Sequence, residues 1–202
     1  PEAPHWSERV WDALHLTYAE GPRRLLYGGC LAVDAAALAT AGGWASHLSV
    51  GEDTELCERL AKQGDVPFGT PELLVTHLGN PKSVRAFFNK QVWHGESALD
   101  DPSLRRSPMT MLVGLFGLGC LAAPVLLIAL RARPVLAVGA ALIAVLAAPI
   151  AAVGGRLLQT RRPTNLAAGV LLYLVYLAAR LTAMARALRR RRPTARATIS
   201  AT

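Results

Sequence analysis

Residues 109–130 read MTMLVGLFGLGCLAAPVLLIAL, and this uncharged run decides the architecture of the chain. About 22 helical residues, at a rise of about 1.5 Å each, cross the roughly 30 Å hydrocarbon core of a bilayer. A second apolar run over residues 135–153 follows a short turn that contains Arg131 and Arg133. Neither run has the polar face that a helix pair in a soluble bundle would show. The sequence therefore predicts a transmembrane hairpin whose Gly and Ala positions let the helices approach closely.

A third apolar run, LAAGVLLYLVYLAA at residues 166–179, leaves two membrane arrangements open. Only about 14 apolar residues precede Arg180, and an arginine at the centre of a span costs roughly 2.5–3.5 kcal/mol on insertion scales. Residues 166–187 therefore form either a tilted third span or a helix lying in the membrane interface. The charge rule favours the interfacial helix, because a third span would carry the basic run 189–192 away from the other juxtamembrane arginines.

The chain ends in a basic tail, residues 188–202, and carries a formal net charge of +8. We expect the tail to be disordered and to lie near anionic membrane lipids, to which each Lys or Arg contributes about 1 kcal/mol. No aromatic residues interleave with the basic run, so we do not expect nucleic-acid binding. The 3 cysteines have no metal-ligand spacing and predict neither a disulfide framework nor a zinc site.

The first half of the chain, residues 1–104, mixes charged, aromatic, Gly and Pro residues like a folded segment outside the membrane. Its apolar residues occur at helical spacing in some segments and in short strand-like runs in others. The glycines of LLYGGCLAV leave two interpretations open, a bulge or the close approach of another group to the backbone. The predicted elements are a helix over residues 6–19, a strand over 25–33, a short helix capped by Asp34 and stopped at Gly42 and Gly43, a helix over 51–64, a strand over 73–77 and a helix over 83–97.

Residues 51–64 read GEDTELCERLAKQG and predict a helix that begins beside two adjacent carboxylates, Glu52 and Asp53. Taken alone, these residues favour Asp53 as the helix cap, because its carboxylate can accept hydrogen bonds from the free amides of the first turn. Gly64 is a typical helix stop. Two acid–base pairs at i, i+4 spacing support the helix, Glu55 with Arg59 and Glu58 with Lys62.

Two further groups of polar residues have both a structural and a functional interpretation. His77 ends the predicted strand, where a lone histidine is usually structural or solvent-facing. The end of the last helix before the membrane could bind an anionic or sugar-bearing ligand, since Trp offers a flat apolar face and its neighbours offer hydrogen-bond donors. It could equally fasten the helix at the membrane interface. The residues at this end are Lys90, Gln91, Trp93 and His94.

Several of these features follow one another in a fixed order. The order is a glycine pair after an apolar run, a helix ended by Gly42 and Gly43, the helix that opens with GED, a strand ending in His77, a helix reading F-x-x-K-Q-x-W-H-G, and the membrane runs. Over roughly residues 20–100, this order resembles the C-terminal half of a membrane-attached family 2 glycosyltransferase with the GT-A fold. The resemblance implies an α/β fold, with the C-terminal half of a GT-A domain over residues 1–104 and an α-helical membrane region over residues 105–187.

The resemblance also implies chemistry for individual residues. Asp53 matches the catalytic base, which accepts the proton of an acceptor hydroxyl as that hydroxyl attacks the anomeric carbon of a nucleotide sugar. Glu52 matches an acidic neighbour of the base, and a single displacement would invert the anomeric carbon. His77 matches a residue that helps to hold a divalent cation, Mg²⁺ or Mn²⁺, or the diphosphate. The residues that match the donor and acceptor pocket are Tyr27, Gly28, Gly29, Cys30, Lys90, Gln91, Trp93 and His94.

The chain lacks two motifs of the family, and their absence changes which acceptor and which partner chain we expect. The chain has no strict Q-x-x-R-W motif, so we expect single transfer to a lipid or glycan acceptor rather than processive synthesis. It also has no D-x-D motif, whose carboxylates would hold the metal, and no nucleotide-binding half, so we expect the 202 residues to be inactive alone. A missing segment or a second chain would supply the donor-binding half. The resemblance implies a multi-pass protein of the cell membrane with its catalytic side in the cytoplasm.

The alternative to an enzyme is a non-catalytic membrane adaptor that binds a partner glycosyltransferase or lipid. Such a protein would keep the same membrane helices and basic tail, so these features do not separate the two functions. A small transporter subunit is disfavoured, because the first two apolar runs contain no polar residues that could line a path.

Overall fold

The structure of the chain is a computed structural model that describes residues 3–15, 20–23, 26, 28–48, 51–73, 75, 79–96 and 107–191. Helices dominate this part of the chain. The elements are α1 Trp6–His15, β1 Gly21–Pro22, a 3-10 helix Gly28–Cys30, α2 Ala35–Thr40, α3 Glu52–Lys62, β2 Phe68–Gly69, α4 Val84–His94, α5 Pro108–Ala129, α6 Pro134–Thr160 and α7 Leu166–Arg191.

The predicted α/β fold, the C-terminal half of a GT-A domain, is wrong for the residues that the structure describes. Their single sheet is an antiparallel pair with two residues in each strand, Gly21 opposite Gly69 and Pro22 opposite Phe68. Within the strand predicted over residues 25–33, Gly28–Cys30 is a 3-10 helix and residues 31–33 are irregular. A short apolar run becomes a strand only where a neighbouring strand pairs with its backbone, and this run has no such neighbour among the described residues.

The other predicted strand, over residues 73–77, lies largely outside the described residues. Leu73 and Val75, which are described, adopt no regular structure and are each 53% exposed. His77 itself lies outside the described residues, and so does Tyr27. The helices fare better, since the predicted elements over residues 6–19, 51–64 and 83–97 correspond to α1, α3 and α4. Periodic apolar spacing over ten or more residues is a stronger signal than a short apolar run.

Three helices are long and apolar enough to span a membrane, which confirms the prediction of a membrane protein at the level of length and composition. They are Pro108–Ala129, Pro134–Thr160 and Leu166–Arg190. The first begins where the Ser107 hydroxyl accepts a hydrogen bond from the Thr110 amide at 3.2 Å. The second is longer than predicted, because it continues beyond residue 153 until Arg161 adopts a left-handed conformation with φ 53°.

The hairpin of α5 and α6 depends on one very close contact between the two helices. A Cβ atom added at Gly119 of α5 would overlap the backbone carbonyl of Ala144 on α6. Only glycine fits there, because a backbone atom cannot move aside as a flexible side chain can. Val113 and Phe116 of α5 lie on the same side of the hairpin and are buried in the main core.

Helix α7 lies between the hairpin of α5 and α6 and the helices α1 and α4, which precede the hairpin in the chain. The fully buried side chains Leu172, Tyr173 and Leu177 of α7 share one core with the hairpin and with α1. Farther along, Ala179 and Ala183 are fully buried against Val92 of α4. Helix α7 is therefore covered on both sides, by the membrane hairpin and by the polar helix α4.

The position of α4 bears on the two arrangements left open for α7. Helix α4 carries Arg85, Lys90 and His94, and it lies along the half of α7 that contains Ala179 and Ala183. Charged side chains are expensive in the hydrocarbon core of a bilayer. The packing therefore favours an interfacial position for this half of α7, which stays a prediction.

A chain of hydrogen bonds joins α1 to both α6 and α7. His15 Nδ1 lies 2.9 Å from the carbonyl oxygen of Trp11, a group that can only accept, so Nδ1 carries the proton. His15 Nε2 is then an acceptor for the Tyr173 hydroxyl at 3.1 Å, and Arg156 Nε donates to the Tyr173 oxygen at 3.3 Å. Each group in the chain has a partner of the right type only while His15 is neutral.

Burial and the nearby Arg156 guanidinium lower the pKa of His15 from 6.5 to about 4, which holds the imidazole neutral. The Trp11 ring stacks on the imidazole with 3.7 Å between the ring centroids, so the site is closed on that side. A protonated His15 would have no acceptor for its second N–H and would face a cation.

The close contact at Gly119 predicts a large difference between two glycine substitutions in the same helix. Gly119→Ala should destabilise the helical hairpin by about 1–3 kcal/mol, because the new methyl group overlaps the Ala144 carbonyl. Gly114→Ala is the matched control, since a Cβ there meets nothing within 4 Å. Melting temperatures of the two variants in one detergent measure the difference. Equal melting temperatures would contradict the close packing of α5 and α6.

The low pKa of His15 predicts that acid loosens the protein. Because the folded pKa of about 4 lies below the ordinary value of 6.5, the unfolded chain binds the proton first as the pH falls. The stabilisation is complete above about pH 6.5 and is lost progressively towards about pH 4, by roughly 3 kcal/mol. Melting temperatures over this range should fall more steeply for the wild type than for His15→Gln, which cannot titrate. Parallel curves would show that His15 is already accessible to protons.

Candidate functional site

Helix α3 begins two residues earlier than a cap at Asp53 would require. Gly51 occupies the cap position in a left-handed conformation with φ 87°, so Glu52 and Asp53 are already helical. The prediction that Asp53 caps the helix is therefore wrong, since the left-handed glycine moves the helix boundary upstream. Asp53 Oδ1 accepts a hydrogen bond from the Thr54 amide at 2.7 Å. Both carboxylates still lie in the first turn, where the helix dipole stabilises negative charge.

The far end of α3 is fixed to the turn that follows α2. Arg59 pairs with Glu55 at 2.6 Å, which confirms one of the two predicted ion pairs. The same guanidinium also donates to the carbonyl oxygens of Ala41 and, at 2.9 Å, Gly43. Helix α3 ends at Lys62, and Gly64 is the predicted stop: its φ of 97° allows the amide of the next residue to bond back to the Leu60 carbonyl. These contacts hold the C-terminal half of α3 against the turn that follows α2.

Charged or titratable groups from three helices act on His94 near the end of α4. Burial, together with the charges of Arg180 and Lys90, lowers the pKa of His94 to about 4, and Asp53 acts in the opposite direction. An electrostatic influence of this kind requires no direct contact. The candidate site is defined as Asp53, Lys90, His94 and Arg180, which belong to α3, α4 and α7.

Gly95 determines how closely α4 and α7 approach at this site. An added Cβ would lie 2.7 Å from the Ala183 Cβ and 3.1 Å from the Arg180 Cδ. The missing side chain thus lets the stem of Arg180 lie directly against the end of α4. The Arg180 guanidinium carbon also lies 5.1 Å from the centre of the Tyr176 ring.

The structure assembles some of the predicted site residues and separates others. Asp53, Lys90 and His94 meet in the candidate site. Trp93 is 48% exposed, with its ring centroid 4.7 Å from that of His94, whereas Gln91 is only 6% exposed. Glu52 lies beside Asp53 in the first turn of α3.

The segment just before the glycine loop, Gly28–Cys30, contacts α3 at Cys57, a residue that no sequence pattern selects. The Leu26 amide donates to the Cys57 sulfur at 3.4 Å, and Cys57 is 1% exposed. Cys57 follows Asp53 by one helical turn, so the loop begins beside the same face of α3. Tyr27, the first residue of the predicted pocket loop, lies outside the described residues.

The described residues provide no set of metal ligands. They contain no group of three or more His, Cys, Asp or Glu side chains that could hold an ion. Glu52 and Asp53 are adjacent in sequence but have no third ligand beside them in this part of the chain. The Mg²⁺ or Mn²⁺ implied by the resemblance stays a prediction, and no chemical step below depends on it.

Sequence reasoning missed the role of Arg180 at this site. The sequence alone indicates only that Arg180 limits the length of the third apolar run. A signal was nevertheless present, because Arg180 is the first charge after the apolar residues 166–179. An arginine placed there is costly unless it has a function or a partner.

Comparison with known proteins found no match to this chain. No family model matches the chain, and neither the curated proteins nor the solved structures contain a significant match. The function must therefore be inferred from the residues of the site and their geometry.

Proposed function

We propose that this chain is the acceptor-side part of a membrane-bound, inverting glycosyltransferase in which Asp53 is the catalytic base. One observation carries the proposal: two adjacent carboxylates, Glu52 and Asp53, lie in the first turn of α3, and the charge of Asp53 acts on His94 of α4, a helix that packs on α7. The proposal rests on these residues and not on a GT-A fold, which the described residues do not form.

The reaction requires a base and a way to balance negative charge. The acceptor oxygen would form a bond to the anomeric carbon as the bond from that carbon to the diphosphate oxygen breaks. Asp53 would take the proton from the acceptor hydroxyl, and its place in the first turn of α3 stabilises the carboxylate form that a base needs. The charge of the departing nucleoside diphosphate would be offset by the donor-binding segment or chain, which lies beyond the described residues.

The acceptor would enter from the membrane side. Helices α4 and α7 contact each other along Val92, Ala179 and Ala183, so the site adjoins the hairpin rather than standing apart from it. A lipid-linked or glycan acceptor held at the bilayer surface would reach Asp53 without leaving the interface. The nucleotide-sugar donor would bind to a segment or chain beyond the described residues.

A non-catalytic membrane adaptor is the second candidate, and a different observation favours it. Trp44, Val66 and Phe68, all in the segment before the hairpin, are 47%, 60% and 54% exposed. A contiguous patch of exposed large apolar side chains is typical of a surface that binds another protein. Such a surface would suit an adaptor that recruits a glycosyltransferase.

Replacing the proposed base separates the two functions. In membranes that contain the protein and its partner chains, Asp53→Asn should lower kcat for sugar transfer by about 100-fold or more, with little change in the KM for the donor. The measurement is release of nucleoside diphosphate from a panel of nucleotide sugars. Asp34→Asn is the matched control, because Asp34 is also a carboxylate at a helix start but caps α2.

Two results would go against the enzyme. Wild-type turnover by Asp53→Asn would exclude Asp53 as the base. Absence of any sugar transfer by the wild type, together with specific binding to a partner glycosyltransferase that is lost on Trp44→Ser or Phe68→Ser, would favour the adaptor.

A further inference from the structure

We infer that Arg180, Lys90 and His94 form a binding site for the phosphate headgroup of an anionic membrane phospholipid. This site would hold a structural lipid, and it requires no sugar transfer. The inference therefore goes beyond the proposed function and can fail independently of it.

Arg180 is a partly buried cation without a counter-ion among the described residues. Its Nε–H is buried and has no hydrogen-bond partner, and no carboxylate in this part of the chain forms an ion pair with it. Its described contacts are the Tyr176 ring and the end of α4 at Gly95. A charge in this situation is destabilising until an anion approaches. The residue as a whole is partly exposed.

A second helix supplies further donors to the same place. Lys90 and His94 are one turn apart on α4 and therefore share a face of that helix. The stem of Arg180 lies against Gly95, the residue after His94, so all three side chains belong to the same end of α4. A guanidinium, an ammonium and a neutral imidazole can together donate several hydrogen bonds to phosphate oxygens. The single described carboxylate that acts on His94, Asp53, leaves the group with a net positive charge.

The surroundings favour a lipid over a soluble phosphate. Arg180 belongs to α7, which packs in the same core as the membrane hairpin. Trp93, next to His94, is 48% exposed, and tryptophan is enriched where a bilayer meets water. Arg186 and Arg189 are exposed farther along α7 and would attract the same anionic lipids, although more weakly and without a fixed position.

Native mass spectrometry of the full chain in a non-ionic detergent tests the inference. Phosphatidic acid should give a one-to-one adduct, whereas phosphatidylcholine, whose phosphate is neutralised by its own choline, should give much less. A third arm adds inorganic pyrophosphate together with phosphatidic acid. If pyrophosphate displaces the lipid at equal concentration, the site holds a soluble phosphate and the inference is wrong.

Substitutions then locate the adduct. Arg180→Gln should weaken phosphatidic acid binding about tenfold or more, Lys90→Gln should weaken it less, and Arg180→Lys should restore part of the loss. Arg186→Gln is the matched control, because it removes an exposed charge from the same helix. Circular dichroism establishes that each variant is folded, and Lys90→Gln provides the test if Arg180→Gln is not.

Equal losses for Arg180→Gln and Arg186→Gln would show diffuse charge attraction and overturn the site.

The Asp53→Asn variant keeps this inference separate from the proposed function. It should bind phosphatidic acid at least as well as the wild type, because one negative charge has been removed from the neighbourhood. A variant that binds lipid normally but transfers no sugar would locate a failure in the base and not in the lipid site.

Discussion

The structure depends on a single helix, α7, that must satisfy two different neighbours at once. Its first half presents Leu172, Tyr173 and Leu177 to the hairpin and to α1, and all three are fully buried. Its second half presents small residues, Ala179 and Ala183, which allow α4 to approach closely. Large side chains fill space between helices, whereas small ones shorten the distance between helix axes. The order of large and then small residues along α7 thus determines that α1 and α4 are held against the membrane helices.

The same arrangement explains why two histidines in the segment before the hairpin are held neutral. Burial against α7 and the nearest arginine lower the pKa of each, with Arg156 beside His15 and Arg180 beside His94. The surroundings of the two rings differ, however. His15 is closed in by a stacked Trp11 ring and a complete chain of hydrogen bonds. His94 lies beside an exposed Trp93 and an arginine with an unsatisfied N–H, which makes its neighbourhood the more plausible ligand site.

The sequence predicts the helices well and the rest poorly, for identifiable reasons. The uncharged run before Arg131 and the apolar spacing in α3 and α4 each extend over several turns, so local pattern decides them. The strand at LLYGGCLAV depends on a partner strand, and no local pattern can supply one. The helix boundary at Gly51 depends on a left-handed glycine, which moved Asp53 from the cap into the first turn. The proximity of Arg180 to His94 joins residues far apart in the chain, and a single sequence carries no sign of it.

The membrane position of α7 determines which groups Arg180 can reach. If the arginine lay in hydrocarbon, its charge would be costly and α4, with its own charges, would be placed there too. At the interface, the same side chain gains access to phosphate groups, and Tyr176 and Trp93 beside the cluster are residues typical of that depth. Arg180 limits the length of the third apolar run. The same residue would hold an interfacial helix at the membrane surface, because it can bind phosphate groups there. Asp53 would then act at the level of the lipid headgroups, where a membrane-bound acceptor presents its hydroxyl.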